Sequence, residues 1–196
     1  KFAVITPALI TGSFAERVRF ISYLLFMVLF HLIIYTPLCH MVWHPDGLLN
    51  KYFGVKDFAG GTVVHMSAGF AALAGAMMIG KRKNPHHEPS NIPFVILGTG
   101  MLWFGWFGFN PGSTLSGLDL NIARIAINTN LAAAAGGTAA ALFTLFRYVK
   151  ADPSMGINGS LGGLVAITAG CAYVEPISSL IIGAIAGMLI VIAVPF

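Results

Sequence analysis

Apolar residues fall in long runs separated by short polar breaks. Runs at 20–43, 60–80, 92–110, 122–146 and 176–196 reach or approach the roughly 20 residues needed to cross a bilayer core as a helix. A sixth, at 154–172, is Gly-rich and marginal in length, and the opening run at 2–13 is too short to span and reads as the second half of a helix. This pattern predicts an all-α membrane protein, a polytopic helical bundle. Pro37 interrupts the first full run and should kink it unless neighbours satisfy the freed carbonyl. Asp57 is placed to N-cap the helix after it, and Pro93 and Pro176 suit the first turns of theirs. The small-residue run at 132–137 suits close helix–helix contact, and packing accounts for most of the 23 glycines.

Composition excludes an ordinary soluble domain. Hydrophobic residues make up 57% and charged residues 9%, with mean hydropathy +0.82, whereas soluble domains are about 25% charged. The net charge of +4 does not signal nucleic-acid binding, because Lys and Arg sit in short clusters between apolar runs. Cys39 and Cys171 lie far apart in apolar runs and are expected to be buried free thiols. The sequence opens at Lys1 directly in an apolar run and stops at Phe196 inside another. Residues 1–196 are therefore expected to be one partial membrane domain, cut at both ends.

The breaks between runs carry an orientation. Glu16, Arg17 and Arg19 fill the first, Lys81, Arg82 and Lys83 begin the third, and Arg147 and Lys150 flank the fifth. In the second, Lys51 and Lys56 are opposed by Asp46 and Asp57; Asp119 lies in the fourth, with Arg124 just inside the next helix, and Glu175 stands alone in the sixth. Uncompensated positive charge places the first, third and fifth loops in the cytoplasm and the others outside.

His65 is the strongest chemical signal. It sits several residues into an apolar run with no acidic residue close by, and an ionisable group there points to a cavity or a partner. The alternative is a histidine bonded to a backbone carbonyl, and His31 and His40 in the preceding run face the same choice. His86 and His87 suggest either a metal site or, because adjacent side chains diverge, a solvated loop. Trp43 closes a run where an interfacial tryptophan is ordinary. Trp103, Phe104, Trp106, Phe107 and Phe109 crowd the end of the 92–110 run. They suit either packing or a cage whose ring faces replace part of a cation's hydration shell, and both readings stand on the residues alone.

Several segments together resemble the ammonium transporter (Amt/Mep/Rh) superfamily in order and spacing. They are Phe2-Ala3-Val4-Ile5-Thr6, Ala15-Glu16-Arg17-Val18-Arg19-Phe20 and His40-Met41-Val42-Trp43. Asp57-Phe58-Ala59-Gly60-Gly61-Thr62-Val63-Val64-His65 resembles that family's most recognisable motif, and the stretch from Trp103 through Phe109-Asn110-Pro111-Gly112-Ser113 is another close match. Asn128-Thr129-Asn130 and the small residues after it resemble the Amt branch more than the Rh branch. The likeness covers essentially the whole chain.

The resemblance implies a homotrimer of eleven-helix protomers built from two inverted five-helix repeats, each protomer with its own pore; this chain would run from the third helix to the ninth. It implies that Trp43, Phe2 and Ser113 recruit ammonium outside, that Phe2 and Phe109 obstruct the pore, and that His65 is the first of two pore histidines. Asp57 would act indirectly by fixing local structure, with Trp106 and Asn110 as structural residues near the site. The second pore histidine would belong to a tenth helix, and no histidine follows His87 here. The implied activity is recruitment of NH4+, loss of its hydration shell and passage of ammonia through a narrow apolar pore, with no enzyme site, cofactor or metal. The implied partners are ammonium or ammonia, the lipid bilayer, further copies of the chain and a cytoplasmic regulatory protein, with plasma (inner) membrane as the location. A membrane module of an ammonium sensor is the rival from another functional class. An Rh-like gas channel is a second rival, disfavoured by the Trp43 and 132–137 matches.

Overall fold

The structure is a computed structural model that describes residues 1–83 and 91–194; the metal-or-loop alternative at His86 and His87 lies outside the described residues. Every regular element among the described residues is helical. Among the described residues, five helical stretches are long and apolar enough to cross a membrane: Phe20–Trp43, Gly61–Ile79, Ile92–Thr114, Asn121–Tyr148 and Pro176–Ala193. The chain divides into two compact units, Lys1–His87 and Glu88–Phe196.

The first unit begins with α1 (Phe2–Ala8) and α2 (Thr11–Phe14), which together occupy the short opening run. Next come α3 (Phe20–Phe30), a π-helical turn (His31–Tyr35) and α4 (Thr36–Trp43), which form one continuous span. The π-turn accompanies the proline. Pro37 has no N–H to give and its ring crowds the preceding turn. Widening that turn accommodates it, and the N–H of Thr36 reaches back five residues to the carbonyl of His31. The span therefore absorbs its proline through a change of helical register.

After α5 (Leu48–Phe53) the chain enters a second π-helical turn (Gly61–Met66) that runs directly into α6 (Ser67–Ile79). The Ser67 hydroxyl donates to the carbonyls of Val63 (2.6 Å) and Val64 (3.1 Å), covering oxygens at the end of the widened turn. Ile10, Phe30, Tyr35, Val42, Val63 and Ala68 form the apolar core of this unit. On its basic side, Arg17 donates to the carbonyls of Gly80 and Ser13, and Arg82 donates to the carbonyl of Gly12 (2.8 Å) and lies 3.7 Å from the Glu16 carboxylate. Residues assigned to the first and third breaks are thus stitched together.

The second unit holds α7 (Ile92–Phe109), a 3-10 turn (Pro111–Thr114), α8 (Asn121–Tyr148), α9 (Pro153–Ile167) and α10 (Pro176–Ala193). The starts of these helices follow the sequence. Pro93 and Pro176 stand in first turns, the Asn91 side chain accepts from the N–H of Phe94, and the Asp152 side chain accepts from Ser154 and Met155. At 28 residues α8 is about 42 Å long, more than the hydrocarbon core requires, so it must tilt or project. The marginal 154–172 run resolves into α9 of only 15 residues, about 22 Å, after which the chain turns.

That short helix is held by neighbours. α8, α9 and α10 meet through glycine: an added Cβ at Gly163 or Gly183 would overlap the Ala132 carbonyl, and one at Gly187 that of Gly136. Asn128 is fully buried and donates to the carbonyls of Cys171 and Val174, both at 2.9 Å, tying the turn after α9 to α8. Glu175 does not stand alone as its loop position suggests. It pairs with Arg124 at 2.6 Å, one turn of helix from Asn128, because the α9–α10 turn folds back over the start of α8. Neither cysteine is in a disulfide, and Cys171 is buried while Cys39 is half-buried. Large apolar side chains remain open on the outer surface, among them Met78 (88%) and Phe104 (81%), as suits a surface solvated by lipid.

Candidate functional site

In the first unit the site is organised by one carboxylate. Asp57 is buried, and its Oδ1 accepts from the N–H groups of Gly60 (2.7 Å) and Gly61 (2.8 Å) while Oδ2 accepts from Thr62 (2.7 Å) and Val63 (3.1 Å). These are the orphan donors at the start of the π-turn and its helix, and the positive end of the helix dipole favours a negative group there. The expected N-cap role is corrected in one respect: Gly60 occupies the N-cap position, and Asp57 reaches the donors from three residues upstream. The backbone has to turn around the carboxylate before the helix begins, which Gly60 permits with φ of +102°.

Two aromatic rings hang on this arrangement. The indole N–H of Trp43 donates to the carbonyl of Asp57 at 2.8 Å, fixing the ring edge and leaving its faces unengaged by that bond. Phe2, at the start of α1, lies with its ring centroid 5.8 Å from that of Trp43 at an interplanar angle of 35°. The first turn of α1 is held by the buried Thr6, whose hydroxyl donates to the Phe2 carbonyl at 2.6 Å. Trp43 and Phe2, one at the end of a span and the other at the start of the chain, are thereby brought together. Both are half-buried, so the rings stay reachable.

His65 sits within the π-turn, between buried Val64 and exposed Met66, and its own side chain is half-buried. Its N–H reaches the carbonyl of Gly60, five residues back, at 3.1 Å. The other histidines divide as follows. His31 Nδ1 lies 3.3 Å from the Met27 carbonyl, which is the backbone-bonded alternative, and His40 stacks on His44 with ring centroids 4.5 Å apart.

In the second unit Trp106, Phe109, Asn110 and Ser113 occupy the end of α7 and the 3-10 turn. Trp106 is buried, packs against Phe109 at 5.5 Å, and donates from Nε1 to the Thr168 hydroxyl at 3.1 Å. Asn110 is fully buried, and its Nδ2 donates to the Thr129 hydroxyl at 3.1 Å. Ser113 donates its hydroxyl proton to the Phe109 carbonyl at 2.7 Å, which leaves the oxygen lone pairs to accept from another donor. Thr168 and Thr129 were not legible as site residues. Thr129 lies within α8 and Thr168 just past the end of α9, each bonded to backbone four residues back, to Ile125 and Leu164, a pattern that gives no hint of a second partner far away in sequence.

The full chain, residues 1–196, matches the family model described as Ammonium Transporter Family. It is 45% identical over 204 residues to ammonium transporter Amt2 of Archaeoglobus fulgidus, an alignment covering 96% of this chain and 44% of that protein. Among solved structures it superposes on Saccharomyces cerevisiae Mep2 with a TM-score of 0.92 at 36% identity, covering 98% of this chain and 45% of that one. It superposes on a protein described as Sensor Amt Protein with a TM-score of 0.89 at 40% identity, covering 98% and 50%. The chain thus spans about half the length of the relatives it matches. With a family model matched from end to end, curated relatives above 40% identity and a shared helical fold, the chain belongs to the ammonium transporter family.

Proposed function

We propose that the protein to which this chain belongs moves ammonium across a membrane, recruiting NH4+ at an outer aromatic site and passing ammonia along a narrow apolar path. The observation that carries this reading is the Trp43–Phe2 ring pair at 5.8 Å, with the Trp43 indole anchored by its edge to Asp57. An edge-anchored indole offers the negative face of its quadrupole to a small cation, which offsets part of the hydration that cation gives up. In the second unit, Ser113 accepts a hydrogen bond from ammonium, and Phe109, like Phe2 in the first, narrows the path. Charge is costly among apolar walls, so the proton is lost or travels separately, and His65 is the group in this chain that takes part in that step. The physics requires no covalent chemistry.

The remaining expectations belong to the same proposal. They are a larger protomer of which residues 1–196 form part of the membrane domain, a homotrimer, a plasma-membrane location and a cytoplasmic regulatory partner. Sensing is the second reading, supported by the likeness to Sensor Amt Protein. Reconstitution of the full-length protein in liposomes separates the two. Transport predicts saturable accumulation of ammonium down an imposed gradient, competed by methylammonium. Ammonium binding with no accumulation would overturn it in favour of a sensor.

A further inference from the structure

Gly60 bonds to both Asp57 and His65 through its backbone. Its N–H donates to Asp57 Oδ1 at 2.7 Å, and its carbonyl accepts from Val64 at 2.8 Å and from His65 at 3.1 Å. The last bond spans five residues, so it is one of those that make this turn π-helical. The space around Gly60 is filled on two sides: a Cβ built there would lie 2.7 Å from Val64 Cγ2 and 3.7 Å from Trp43 Cη2. Its φ of +102° is in the region that L side chains rarely adopt.

We propose that Gly60 is a positioning residue for Trp43 and His65 together. Its bare Cα and left-handed backbone close the π-turn on the His65 amide, and its N–H holds the carboxylate of Asp57, whose main-chain carbonyl anchors the Trp43 indole. The inference rests on the reading of those two side chains as substrate and pore groups.

The physical case follows from what a side chain at this point would displace. Val64 is fully buried in the unit's core and cannot swing away. The cheapest relief is to reopen the turn, giving up the five-residue bond to His65 in favour of ordinary α-helical register. One residue of register is about 100° of rotation on a helix, so His65 would be re-aimed even with Asp57 and its acceptors intact. The indole, 3.7 Å from the added carbon, is in ordinary contact with it and is reached instead through Asp57, to which both the Gly60 N–H and the indole N–H are bonded. Gly60 therefore differs from Asp57 in kind: Asp57 supplies the acceptors, and Gly60 sets the direction in which the two functional side chains point.

The test uses the full-length protein in proteoliposomes, with ammonium and methylammonium as probes. Gly60→Ala is expected to raise half-saturation for ammonium several-fold and to change the ammonium-to-methylammonium uptake ratio. Gly54→Ala is the control: Gly54 also has positive φ (+62°), but no atom lies within 4 Å of an added Cβ. It carries a left-handed backbone, at a milder φ than that of Gly60, without the contacts, and is expected to match the unsubstituted protein in both readouts. A Gly60→Ala protein that inserts and retains both values, or a Gly54→Ala protein that loses both equally, overturns the proposal. If Gly60→Ala fails to insert, Val64→Leu presses the same gap from the other side without touching the φ of Gly60. It is expected to shift the same readouts, and unchanged values there also overturn the proposal. Trp43→Leu and His65→Ala run in parallel. If neither moves its readout, the reading of the site falls and takes this inference with it; if both do and Gly60→Ala does not, the inference alone falls.

Discussion

The indole nitrogen of Trp43 and the carbonyl oxygen of Asp57 are 2.8 Å apart, so the Trp43 ring is bonded to the backbone of the residue whose side chain starts the His65 turn. The indole of Trp43 and the turn that carries His65 are connected through one aspartate, by its main chain on one side and its carboxylate on the other.

Replacing that carboxylate should therefore be costly in stability as well as in transport. Asp57→Asn keeps one acceptor oxygen where two serve four amides. Hydrogen bonds to a charged group contribute about 1.5–3 kcal/mol each, and buried amides left unsatisfied add to the loss. Asp57→Asn is expected to lower the melting temperature of the purified full-length protein and Asp57→Ala to lower it further. A melting temperature unchanged in Asp57→Ala would remove the capping role.

Trp43→Leu keeps much of the apolar volume and loses the ring. A desolvated cation–π contact is worth roughly 1–2 kcal/mol, so half-saturation for ammonium should rise about tenfold. Trp43→Phe keeps a ring face but gives up the bond to the Asp57 carbonyl, and should fall between the two. Uptake measured across ammonium concentrations checks both, and an unchanged value for Trp43→Leu would count against the ring as a recruiter.

How much of this could be read from the residues depends on the range of the interaction. The spans announce themselves because bilayer crossing imposes apolar runs of fixed length, and Asp57 before a helical run is a local signal. The π-turns at His31–Tyr35 and Gly61–Met66 give no such sign, since a π-turn adds one residue to a single turn and leaves the apolar pattern around it unbroken. Partners distant in sequence were equally hidden: Trp106 finds Thr168, and Glu175 finds Arg124, only after the helices pack. The same holds for α9, whose run of apolar residues overstated the length of the helix.

Thr168 offers a test of the second unit. Thr168→Val preserves shape and removes the acceptor that the Trp106 indole uses at 3.1 Å inside the core. The expected cost is about 1–3 kcal/mol of stability, with Thr168→Ser close to the unsubstituted protein because it restores the hydroxyl. Thermal unfolding of the full-length protein followed by tryptophan fluorescence reads this directly. Equal melting temperatures for the Val and Ser variants would show that the hydroxyl does not matter.

His65→Ala should leave insertion and external binding largely intact, because the π-turn is held by the Asp57 carboxylate and the Gly60 carbonyl, neither of which involves the imidazole. What should change is proton-coupled flux or selectivity, measured as ammonium-evoked current and as the methylammonium uptake ratio. Current and ratio both unaltered would exclude the side chain from the conduction step.

Orientation follows from loop charge. Single cysteines introduced at Asn50 and at Lys150, in a full-length background lacking Cys39 and Cys171, should differ in reach. An impermeant thiol reagent added outside is expected to label the first and not the second, and the opposite result would invert the topology.

The glycine contacts among α8, α9 and α10 bear on how the second unit can move at all. Where helices touch backbone to backbone, as Gly183, between Ile182 and Ala184, does at the Ala132 carbonyl, sliding one helix by a single residue drives a methyl or larger group toward a main-chain oxygen. Three such helices behave as one rigid strut with no intermediate registers to visit. Movement in this part of the protein must then come from side chains turning on a fixed frame rather than from the slower sliding of helices.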